Sequence, residues 1–69
     1  MTIQYELRVD GGVSQLPFNT LQEAQTVGLP HGEQGRQVLV TSFGDGIPCQ
    51  FWYFDSVIDS WVNGCPEWV

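Results

Sequence analysis

The chain opens on strict alternation. In residues 3–9, I-Q-Y-E-L-R-V, Ile3, Tyr5, Leu7 and Val9 fall on one side and Gln4, Glu6 and Arg8 on the other, the period of a half-buried strand. Asp10-Gly11-Gly12 follows and supplies residues that tolerate the positive φ of a tight turn. Residues 13–18 are therefore predicted to return antiparallel as a second strand, which frays or lies at an edge at Pro17, because proline has no amide hydrogen.

The period then changes. In N-T-L-Q-E-A-Q-T-V-G, Thr20 and Glu23 form a capping pattern, Leu21, Ala24 and Val27 share one side, and Gly28 reads as the stop, which predicts about two helical turns leaning on a sheet. Residues 29–35, L-P-H-G-E-Q-G, read as a polar loop and as the most mobile internal segment, since two glycines and a proline pack poorly. Residues 36–43, R-Q-V-L-V-T-S-F, are apolar on both parities in the middle, as suits a central strand covered in part on both faces. Gly44-Asp45-Gly46 is a second turn, and Q-F-W-Y-F-D-S-V-I-D-S-W-V forms a last hairpin, roughly 47–54 and 58–63. Centred on Val57, that hairpin sets Asp55 opposite Asp59, Tyr53 opposite Trp61 and Cys49 opposite Cys65; a slip of one residue would turn each side chain to the other face. The elements add up to an α+β fold, ββαββ-like: one antiparallel sheet of four to five strands with one short helix across one face. Residues 1–69 are read as a single domain without a repeat or linker.

Charge changes the picture more than composition does. At 42% apolar, with four Phe, three Trp and two Tyr, the chain has the material for a core. Yet eight acids (Glu6, Asp10, Glu23, Glu33, Asp45, Asp55, Asp59, Glu67) face only Arg8 and Arg36, a net charge of -6 with no lysine. No block of like charges gathers them into a tail, so they must decorate a folded surface. Direct nucleic-acid binding is disfavoured for want of clustered cations, and anionic membranes repel such a surface. A basic protein partner is the natural complement. Residues 1–18 lack the basic start and apolar run of a leader, and no apolar stretch has the length to span a bilayer, so a cytoplasmic protein is the expectation.

The candidate chemistry is sparse. His31, the sole histidine, falls in the predicted loop, where the rigid support that catalysis requires is lacking. Asp55 and Asp59 are a carboxylate pair without a histidine or lysine nearby to complete a site. Cys49, Cys65 and His31 lack zinc-ligand spacing, and neither D-G-G nor D-G-I extends into a calcium loop. The expectation is a non-enzymatic protein with no cofactor and no metal. The two cysteines are read as free thiols rather than a cross-strand disulfide, as cytosolic thiols normally stay reduced.

What remains is a surface. Trp52 and Phe54 share one parity and Phe51 and Tyr53 the other, so both faces of that strand carry rings. One face is expected to be buried under the helix and the other covered by the tail with Trp68, by loops or by a partner. Tyr53, Trp61 and Trp68 are the aromatics expected to be exposed. Asp45, Asp55 and Asp59, in or beside turns, are expected to gather at one end or along one edge of the sheet. The candidate partner-binding set is Asp45, Asp55, Asp59, Glu6, Glu33, Glu67, Tyr53 and Trp61.

A single acidic domain, a helix segment T-L-Q-E-A-Q-T-V-G after a first hairpin, and a closing W-Y-F-D-S-V-I-D-S-W-V hairpin together resemble the small phage-encoded anti-CRISPR proteins. That resemblance implies a stoichiometric inhibitor, active as a monomer in the bacterial cytoplasm. It would be a DNA mimic whose acids occupy the basic target-DNA or PAM-binding site of a type I Cascade, on a Cas8-type subunit. Because those inhibitors share no common motif, the resemblance assigns no role to individual residues. The alternative from the residues alone is a small phage or bacterial assembly module that binds a protein partner through a sheet edge.

Overall fold

The computed structural model describes residues 3–12 and 17–68. Its elements are β1 (Ile3–Val9), α1 (Leu21–Glu33), β2 (Val38–Gly44), β3 (Ile47–Asp55) and β4 (Ser60–Asn63), and the strands form one antiparallel sheet in the order β1-β2-β3-β4. The helix packs on one face of that sheet, so the class is α+β as expected. Most of the predicted second strand, residues 13–16, lies outside the described residues. Its end is described: Tyr5 and Phe18 exchange backbone hydrogen bonds at 3.0 and 2.8 Å in an antiparallel bridge.

Turn chemistry sets the register where it is unambiguous. Asp45 (φ 53°) and Gly46 (φ 81°) join the pair Gly44 and Ile47, a two-residue loop with both φ values positive, whose twist matches that of the strands. Just beyond, Ser42 pairs with Gln50 and Phe43 with Pro48, leaving Cys49 as the extra residue of a bulge. Pro48 costs the ladder little there, since a bulge next to a turn is where a strand tolerates a missing donor.

The helix begins as predicted and ends elsewhere. Thr20 caps it, its Oγ1 accepting the Glu23 N–H at 3.2 Å. It then runs past Gly28 and through residues 29–33, so five of the seven residues of the expected loop are the end of a thirteen-residue helix. Ala24, Gly28 and Gly32 are buried four residues apart and form a stripe without side chains beyond a methyl, which lets α1 settle close to the sheet. A β-carbon at Gly28 would lie 2.9 Å from both Leu7 Cδ1 and Val38 Cγ1, and one at Gly32 2.5 Å from Phe54 Cδ2. Both glycines serve approach and not termination. The stop is Gly35 (φ 83°): its N–H donates to the Gly32 carbonyl at 3.0 Å and the Arg36 N–H to the His31 carbonyl at 3.1 Å, the paired bonds of a Schellman ending.

Beneath α1 the core consists of Leu7, Ala24, Val38, Val40 and Phe54, with Tyr5, Val9, Phe18, Leu21, Trp52 and Trp61 packed around it. Burying each of the large side chains among these contributes roughly 1.5–3 kcal/mol. β2 is buried along Val38–Ser42 on both faces, as its apolar run predicted. On the face away from the helix, Leu39 and Thr41 are covered as well. The tail supplies part of that cover: Pro66 is buried, and Trp68 lines hollows shared with Arg8 and Leu39 on one side and with Tyr53 and Asp55 on the other.

Candidate functional site

The β3–β4 register differs from the expected one by a single residue, with consequences for the site. Tyr53 pairs with Val62, Phe54 with Trp61 and Asp55 with Ser60; the loop is the four residues 56–59 rather than three, with Asp59 at φ 53° absorbing the extra step. Trp61 therefore turns to the helix side. It meets Phe54 edge-on, with centroids 5.5 Å apart at 75°, and a β-carbon at Gly28 would lie 3.4 Å from it. Trp61 is core-packed and is withdrawn from the binding set. Cys49, displaced by the bulge, does not face Cys65 in the ladder, and both are free and exposed.

The acids do not gather as Asp45, Asp55 and Asp59. Asp45 sits in the β2–β3 turn and Asp55 and Asp59 bound the β3–β4 loop, at opposite ends of β3; nine strand residues hold them about 26 Å apart along the strand axis. Glu6, in mid-β1, is half-buried and engaged by the Arg8 Nε–H at 2.8 Å, so its charge is balanced locally.

A different set does come together. Asp10 follows β1 and is locked to the residue before β2: its N–H donates to the Gln37 carbonyl at 2.7 Å and its Oδ1 accepts the Gln37 N–H at 3.0 Å. Gln37 shares a cleft of ≈ 380 Å³ with Arg36, Tyr53, Asp55, Glu67 and Trp68. Asp59 closes the loop beside Asp55, and Glu33 ends the helix two residues before Gly35, which lines the same cleft. One end of the molecule thus carries Asp10, Glu33, Asp55, Asp59 and Glu67, with Arg36 in the cleft and Arg8, which shares a hollow with Gly11, Gln37 and Trp68, engaged by Glu6. Asp45 and Glu23, in the first turn of the helix, lie apart. Neighbouring strands are about 4.8 Å apart, so the backbones of Asp10 and Asp55, flanking the end of β2, are about 10 Å from each other.

Asp10 was missing from the predicted set, although D-G-G marked its turn. Tyr53 is half-buried and lines the cleft, and Trp68 is exposed beside it. His31 lies in the last turn of α1, not in a loop, with Nδ1 buried and unbonded. Among the described residues no three His, Cys, Asp or Glu side chains are placed to hold a metal ion, and no helix is long and apolar enough to cross a membrane. Chemically, the end can attract cations and offer aromatic surface beside them. Comparison with protein-family models, curated proteins and solved structures finds no match to this chain.

Proposed function

We propose that this protein is a non-enzymatic inhibitor that occupies a basic, DNA-binding surface of another protein, acting in the bacterial cytoplasm in the manner of the anti-CRISPR proteins it resembles. The target-DNA or PAM site of a type I Cascade is the surface this reading names. The observation that carries it is the acidic end: five carboxylates, on residues anchored by strands, turns and a helix end, against the guanidiniums of Arg36 and of Arg8, the latter engaged by Glu6. Such an array draws a cationic groove by long-range attraction, while Tyr53 and Trp68 beside it offer contact area.

Backbone conformation accounts for part of this charge, and the residual choice is informative. Asp10 and Asp59 occupy positive φ, where asparagine would serve the backbone as well and, at position 10, would keep an oxygen to accept the Gln37 N–H. Relative to asparagine, aspartate adds a charge at those positions. An electrophoretic mobility assay tests the reading: saturating protein should release target DNA from at least one purified type I complex. Intact DNA complexes throughout a panel of subtypes would refute it.

A further inference from the structure

The loop that closes the sheet carries an anomaly unrelated to charge. Its two central residues are Val57 and Ile58, exposed to 91% and 60%, at positions where turns ordinarily place Gly, Asn, Asp or Ser. The loop is not loose. The Asp55 Oδ1 accepts the Val57 N–H at 2.9 Å, Asp59 fixes the return at φ 53°, and the strands beneath are clamped by the Phe54–Trp61 contact. Two adjacent aliphatic side chains are thus held out in water on a stiff stalk, with a carboxylate on either side and no Lys or Arg anywhere in residues 37–69.

We propose that Val57 and Ile58 are the hydrophobic anchor of the interface, inserting into an apolar pocket whose rim is basic on the partner protein. The inference rests on the acidic reading above for the sign of the rim, and on exposure alone for the anchor. Flanking carboxylates select the occupant: an anionic lipid surface would repel Asp55 and Asp59, and a second copy would bring the same two charges against them. A preformed tip loses little conformational freedom on docking, which is how small interfaces gain affinity.

Amino-substituted β-cyclodextrin, an apolar cup rimmed by ammonium groups, serves as a defined probe. The isotope-labelled protein is titrated with it by NMR, alongside neutral β-cyclodextrin and penta-lysine. The anchor predicts amide shifts concentrated on residues 55–61, at least ten-fold tighter binding than to either control, and loss of that advantage in Val57→Ser/Ile58→Ser. That variant should keep the wild-type melting temperature, since both side chains already face water. Shifts centred on Trp68, shifts that survive the double substitution, or no shifts at all would overturn the anchor. Equal binding of the neutral and amino cups through Val57 and Ile58 would uphold the anchor and count against the acidic reading.

Discussion

Asp10, Asp45 and Asp59 are the described non-glycine residues with positive φ, and each stands where a strand must reverse. The left-handed conformation costs an ordinary L-residue roughly 1–2 kcal/mol, and less for Asp or Asn. Asp45→Asn should therefore leave stability within about 0.5 kcal/mol while Asp45→Val loses about 1–2 kcal/mol in urea denaturation. The glycines of α1 make the opposite point. Gly→Ala in an exposed helix gains close to 1 kcal/mol, but at Gly32 the new methyl would meet the Phe54 ring and its β-carbon, at 2.5 to 3.0 Å. Overpacking wins, and Gly32→Ala should destabilise by about 1–3 kcal/mol; a stabilised variant would show that the helix does not lie where we place it. At this scale Asp10 and Asp45 were legible, because glycine follows each of them. Asp59 was not, because D-S-V-I-D contains no glycine to mark the positive-φ position.

Among the elements, β1, whose alternation is strict, turns Leu7 into the core as its pattern predicts, and there it lies opposite Val40, a pairing the pattern did not specify. The helix start was equally legible, since Thr20 and Glu23 act locally. Its end was not. G-L-P-H-G has the composition of a break, yet Gly28 and Gly32 extend the spacing begun by Ala24, and their value appears only once Leu7, Val38 and Phe54 are opposite them. Pro30 remains a real defect in the helix interior, exposed and without the N–H that would serve the Thr26 carbonyl. Pro30→Ala should restore that bond and raise stability by about 1–3 kcal/mol; an unchanged or lowered unfolding midpoint would contradict the helical assignment of residues 29–33. The β3–β4 register failed for a different reason. Both parities of β3 carry rings, so pattern does not choose between faces, and one additional loop residue moves Trp61 from the open face into the core.

Over the whole molecule, the amount of charge was legible and its address was not. Asp45 and Asp55 are ten residues apart in sequence and belong to opposite ends; Asp10 and Asp55, far apart in sequence, flank the same end of β2. Only the strand order determines this. The acidic end repels itself, so Asp55→Asn/Asp59→Asn/Glu67→Gln should leave stability unchanged or slightly raised at low salt, with a smaller difference at about 0.5 M salt, where screening is nearly complete within several ångströms. The same neutralisation should weaken binding to a cationic groove at least ten-fold. The most direct measurement is competition by fluorescence anisotropy, in which labelled target DNA on a type I Cascade is displaced by this protein or by the triple variant. The account predicts stoichiometric displacement by the wild type, weakened as salt rises, and at least ten-fold weaker displacement by the variant; equal displacement by both, or none by the wild type from any complex, would contradict it.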